Sequence, residues 1–144
     1  MRTPDRSMLA SFVVVLIAAL FATVGCAQAD GEADGEAGEK PSVQEISQQD
    51  LLSNPPKDAL ILDVRTPGEF GDGHVPNAVN IPHNELASRL SELNSSSDRP
   101  IVLYCRSGKR AGMAASVLQK AGYTDLHHLT GDMLGWTAAG LATE

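Results

Sequence analysis

Hydrophobic and polar positions fall in blocks along this chain, and the blocks predict short strands alternating with short helices. Met8 to Gly25 carries no charge and stands apart. Ala27 to Lys40 is Gly, Ala, Glu and Asp with one Gln and one Lys, without an apolar period. Such a segment has no face to bury, which predicts a disordered acidic tether. The folded part begins near Pro41. Val43 to Ile46 predicts a short edge strand, and Ser47 caps a helix over Gln48 to Leu52 with Asp50 in its first turn. Asn54-Pro55-Pro56 stops it. Ala59 to Arg65 is a near-continuous apolar run, as expected of a strand buried on both faces. Thr66 and Pro67 read as the N-cap and first-turn proline of a short helix reaching Phe70. Gly71, Gly73 and Pro76 mark a loop, and Ala78 to Pro82 another strand. His83 to Leu93 sets Leu86, Leu90 and Leu93 at helical spacing, which predicts a helix with one inward face.

After a polar loop over Asn94 to Asp98, Pro100 to Tyr104 predicts a buried strand and Ala111 onward a helix that Gly122 ends as a C′ glycine. Asp125 to Thr130 predicts a last strand and Met133 to Ala139 a last helix. Strands alternating with helices argue an α/β fold, a parallel sheet with helices on both faces. Ligands of such sheets bind beyond the carboxyl ends of the strands, where Cys105 falls.

The length of 144 residues suits one domain, and the net charge of -7 argues against nucleic acid as a partner. Arg2 and Arg6, the uncharged run and the small residues before Cys26 have the form of a secretory signal. Thr23-Val24-Gly25-Cys26 resembles a bacterial lipobox, with Thr23 where Leu is usual. The expected division is a signal peptide over 1–25, a lipid-anchored tether over 26–40 and a domain over 41–144. The resemblance implies that Cys26 carries lipid and that the domain faces the periplasm from a bacterial membrane. An ordinary secreted domain and an uncleaved anchor are the alternatives, and all three place the domain outside the cytoplasm.

The chemistry concentrates in Cys105-Arg106-Ser107-Gly108-Lys109-Arg110. Successive amides wrapping a helix N-terminus form an anion cradle. A cysteine facing such a cradle is favoured as thiolate, its nucleophilic form. Arg106, Ser107, Gly108, Lys109 and Arg110 are therefore the candidate substrate-binding residues around a Cys105 nucleophile. Gly108 lets the backbone turn inward where a Cβ would intrude. Arg106 and Lys109 are expected to face solvent and draw anions in, and Arg110 to hold the loop in shape.

Four motifs in order resemble the single-domain rhodaneses: Leu62 to Phe70, Gly73 to Pro82, Tyr104 to Arg110, and Leu129 to Asp132 with Trp136 and Ala139 to Leu141. They cover the folded part, about 43–142. The resemblance implies a five-stranded parallel sheet of order 1-5-4-2-3 flanked by helices. It implies a cysteine persulfide that carries sulfane sulfur. The partners would be a small anionic donor such as thiosulfate and a thiol or cyanide acceptor, with no cofactor. Asn77 and Asp132 stand where the family often has Gly, the second near the expected rim of the site.

Asp63 is a supporting candidate, either capping a strand end or orienting the loop through Arg65 or Arg110. His74 covers the loop or pins a turn. His127 and His128 point to opposite faces of one strand and lack a metal-ligand set. Trp136 is expected in the core. A phosphatase or arsenate reductase on the same fold, and a non-catalytic binding module, are the competing functions. Phosphatases of the Cys-x5-Arg type place Arg six after Cys, which here is Ala111.

Overall fold

A computed structural model describes residues 42–144. The expected signal, Cys26, the whole tether over 26–40 and Pro41 of the expected domain lie outside the described residues. Within them the order is β1 (Gln44–Ile46), α1 (Gln48–Ser53), β2 (Leu60–Asp63), α2 (Pro67–Gly71), β3 (Val79–Asn80), two 3₁₀ turns, β4 (Ile101–Tyr104), α3 (Lys109–Lys120), β5 (Leu126–Leu129) and α4 (Asp132–Ala138). The sheet has the order β1-β5-β4-β2-β3, and every pairing is parallel. The expected fold class is the observed one.

β4 is central and every one of its residues is buried. Side chains alternate across a strand, so it divides between two cores. Ile101 and Leu103, with Cys105 beyond them, join Leu62, Ala111, Ala114 and Leu118 on the α3 face. Val102 and Tyr104 join Ile46, Leu51, Met133 and Trp136 on the face of α1 and α4. Helices thus cover both faces, which places the carboxyl end of β4 between α3 and α4. Trp136 is fully buried, as its position predicts.

Local signals hold where they involve caps. Ser47 Oγ accepts from Asp50 N, and Thr66 forms a reciprocal box with Glu69 at the start of α2. Gly122 has φ +92, with its N–H on Gln119 O and that of Tyr123 on Leu118 O, which together close α3 as a Schellman motif.

Two expectations are corrected. His83 to Leu93 is not one helix but two 3₁₀ turns, Leu86–Ser88 and Leu90–Leu93. Arg89 between them leaves helical geometry, and neither turn has a side-chain cap. Leu86 and Leu93 are buried all the same, because a spacing of three and four suits consecutive 3₁₀ turns as well as an α-helix. The run from Ala59 is fully buried only from Leu62 onward, since Leu60 and Ile61 are half-buried.

Candidate functional site

Cys105 follows β4 directly and is 1% exposed. Its Sγ accepts the N–H of Gly108 at 3.1 Å. Gly108 is the N-cap of α3 with φ +91, and its side-chain position is closed: a Cβ there would lie 3.2 Å from Asp132 Oδ2 and 3.4 Å from the His128 ring. Glycine thus serves both the backbone angle and the close approach. The sulfur sits at the N-terminus of a twelve-residue helix, whose first amides have no intrahelical acceptor. Arg106, Ser107 and Lys109 are exposed around it.

α4 clamps the loop from the other side. Met133 N donates to Cys105 O at 3.1 Å, and Leu134 N to Arg106 O at 3.2 Å. Asp132 Oδ1 accepts the N–H of Cys105 at 2.7 Å. Asp132 is 3% exposed, so it lies beneath the loop and not at the rim. Its other oxygen meets His128 Nε2 at 3.1 Å, and His128 Nδ1 meets Glu45 Oε1 at 3.1 Å. The bond to Asp132 pushes the His128 pKa up to about 9 against the cost of burial, with Glu45 adding to it. Burial raises the Asp132 pKa, but the bonds from His128 and Cys105 N outweigh it and leave it below the ordinary value.

Arg110 holds the far end of the loop. Its guanidinium binds both oxygens of Glu69 at 2.6 and 2.7 Å, which joins α3 to α2. That bidentate bond lowers the Glu69 carboxyl to about 2 against burial, with Thr66 helping. Asp63 pairs with Arg65 and not with Arg110: it takes the Arg65 amide at 2.8 Å and the guanidinium at 2.6 and 2.9 Å. Burial opposes the Arg65 charge, but Asp63 more than offsets it, and the pKa rises. Arg65 also donates to Gly73 O at 2.9 Å and lies over the Tyr104 ring. This pair therefore reaches the loop through Tyr104, the residue before Cys105.

His127 bonds Asp125 while His128 bonds Glu45 and Asp132, so the two rings part as their strand positions predict. Among the described residues no group of three or more His, Cys, Asp and Glu is set to hold a metal ion. His74 stacks on Phe70 and bonds its carbonyl, which pins a turn. Asn77 has φ +64, a conformation that Asn tolerates, and its amide donates to Glu144.

A cleft of about 260 Å³ lies beside the loop, between Arg65, Glu69, Gly73, Arg106 and Leu134. A larger cavity of about 400 Å³, lined by Leu51, Ile61, Val75 and Trp136, includes no residue of the Cys105 loop. Chemistry, not size, marks the site.

Sequence reasoning missed Glu69, His128 and Glu45 as parts of the site and set Asp132 at its rim. Glu69 was open to discovery from the Thr66-x-x-Glu69 capping box. His128 and Glu45 have no local signal toward Cys105: His128 reaches the loop through Asp132, four residues on, and Glu45 meets His128 across 83 positions.

The rhodanese-like domain model matches residues 47–139. A protein of Allochromatium vinosum named "Sulfurtransferase" is 38% identical over 85 residues, 59% of this chain and 78% of that protein. The YqhL protein of Bacillus subtilis is 41% identical over 78 residues, 54% of this chain and 60% of its own length. The crystal structure of a rhodanese-related protein from Thermoplasma volcanium superposes with a TM-score of 0.59 at 29% identity, over 70% of this chain and 97% of that one. With a parallel sheet of the order described and a cysteine loop between its central strand and α3, the chain belongs to the rhodanese-like domain family.

Proposed function

We propose that this domain is a sulfurtransferase in which Cys105 carries sulfane sulfur as a persulfide. The observation that supports it most is the contact of Gly108 N–H with Cys105 Sγ at the N-terminus of α3. An anionic sulfur is stabilised there by aligned amides. The relative named a sulfurtransferase agrees with this reading.

Thiosulfate fits as donor. The Cys105 thiolate attacks its outer sulfur, a new S–S bond forms, the bond to the sulfonate sulfur breaks, and sulfite leaves with the electron pair. The product Cys–S–S⁻ keeps its charge at the end of α3. A thiolate or cyanide then attacks the terminal sulfur and restores the Cys105 thiolate. Both transfers balance without an added redox partner. Arg106 and Lys109 draw the dianion to the loop, Ser107 and Gly108 bring their amides toward it, and Arg110 keeps the loop in shape through Glu69. The near-complete burial of Cys105 favours a small donor.

The phosphatase reading is weaker. The only arginine near the required spacing, Arg110, stands five after Cys105, and its guanidinium is engaged by Glu69. A non-catalytic module would have no use for an intact thiol beneath a helix N-terminus. The proposal extends to location: a signal over 1–25, lipid on Cys26 and a spacer over 26–40 would hold the domain at a bacterial membrane, facing the periplasm. Replacing Cys26 with Ser then blocks lipid labelling; labelling that persists, or that never enters the native chain, defeats this part.

Intact mass of the full chain after thiosulfate treatment tests the activity. Cys105 gains one sulfur, and Cys105→Ser gains none. A native chain that stays unmodified sinks the sulfurtransferase reading.

A further inference from the structure

We propose that Asp132 is a positioning residue for the Cys105 loop, and that the His128 imidazolium holds it in place, so that loop geometry follows the protonation of His128. Only the activity readout below rests on the sulfur-transfer reading.

Asp132 touches three things at once. Oδ1 takes the amide of Cys105 at 2.7 Å, the shortest tie from α4 to the loop. Oδ2 faces His128 Nε2 at 3.1 Å. The same oxygen stands 3.2 Å from where a Cβ on Gly108 would be, so the carboxylate backs both the start of the loop and the cap of α3. Its backbone has φ +51, a conformation costly for a residue with a Cβ and persistent only where surroundings impose it.

The geometry also assigns the charge on His128. Ionised carboxylates only accept, and a neutral imidazole donates from one nitrogen alone. His128 presents both nitrogens to carboxylate oxygens, Nδ1 to Glu45 from β1 and Nε2 to Asp132 from α4. Both contacts are hydrogen bonds only for the imidazolium. Glu45 is itself held by Thr130 Oγ1 at 3.1 Å. Glu45 and Asp132 are the charged groups that face the ring, while α3 brings Gly108, Ser116 and Gln119 to the same cleft, none of which titrates. Loss of the proton on going to alkaline pH sets a lone pair of the ring against one carboxylate and frees Asp132 to shift.

Nuclear magnetic resonance of the full chain in mild detergent reads this directly. The background is Cys105→Ser, which removes the thiol from the loop. The backbone amide there shifts in a single step with a midpoint near 9, in parallel with the His128 ring. Adding Asp132→Asn, which keeps an acceptor and tolerates the backbone angle, or His128→Gln, abolishes that step. In Asp132→Gly, which relaxes the backbone but removes the acceptor, hydrogen exchange of the same amide at neutral pH quickens about tenfold or more. A step that survives in Asp132→Asn or His128→Gln, or an unchanged exchange rate in Asp132→Gly, overturns the proposal. With Cys105 restored, sulfur loading from thiosulfate slows in Asp132→Gly. Should the native chain take up no sulfur at all, the activity reading falls, while the amide measurements still decide the role of Asp132.

Discussion

Both ends of the 105–110 loop are held by a carboxylate, and the two work in different surroundings. At the Cys105 end, Asp132 is 3% exposed and bonded to an amide and a histidine. At the Arg110 end, the Glu69 side chain is 31% exposed and shares its oxygens with one guanidinium. A buried carboxylate has lost its water, so its partners must all be present. A half-exposed ion pair is partly solvated already, and its loss is cushioned. Removing a partner is therefore expected to cost more at the cysteine end than at the arginine end.

If burial rather than charge decides, the largest effect belongs to the third pair, Asp63 and Arg65, both at most 5% exposed. Asp63→Ala strands the Arg65 guanidinium and is expected to cost about 3–5 kcal/mol in urea unfolding. A loss below that of Glu69→Gln would reverse the ranking.

Next comes Gly108→Ala, which drives a Cβ toward Asp132 and His128 at a positive φ. It is expected to cost about 1–3 kcal/mol and to slow sulfur loading of Cys105 in the mass assay. Native-like loading would mean that the cap of α3 does not position the sulfur.

The two ends also part with pH. The His128 pKa is raised from 6.5 to about 9, so its contribution is full below 6.5 and is lost as pH rises to about 9. Glu69 is lowered from 4.5 to about 2, so its contribution is full above 4.5 and is lost as pH falls to about 2. His128→Gln should flatten the alkaline side of the stability profile and also weaken the acid side, because Asp132 loses the bond that helps lower its pKa. Glu69→Gln should flatten the acid side alone and, as the smallest effect, cost about 1 kcal/mol or less at neutral pH. Calorimetric melting across the pH range checks both; an alkaline limb altered by Glu69→Gln, or left unchanged by His128→Gln, contradicts the division.

How much of this was legible depends on reach along the chain. The β4–loop–α3 unit was readable because Ile101 to Tyr104 is an unbroken apolar run and Gly108 precedes a run of helix formers. The Asp63–Arg65 pairing was among the readings since it spans two residues. Its alternative, Asp63 with Arg110, failed because α2 puts Glu69 in front of Arg110. The placement of Asp132 at a rim failed because the left-handed turn at Gly131 and Asp132 folds that side chain back under Cys105. The 83–93 helix failed because leucine spacing reports which side is buried and not how tightly the backbone winds.

The sequence by itself determined the caps at Ser47 and Thr66, the glycine stop at 122, the inward leucines and the place of Cys105 at the end of a buried strand. Each of these arises from contacts within a few residues or from a repeat of polarity, and such terms act on any chain with that local order. Tertiary structure alone decided what surrounds the Cys105 loop. Asp132 reaches Cys105 across 27 positions, Glu69 reaches Arg110 across 41 and Glu45 reaches His128 across 83. Those meetings follow from the order β1-β5-β4-β2-β3, which sets β1 beside β5 and the start of α4 under the end of β4. Strand order is settled by burying both faces of the whole sheet at once, so no short stretch of the chain can announce it.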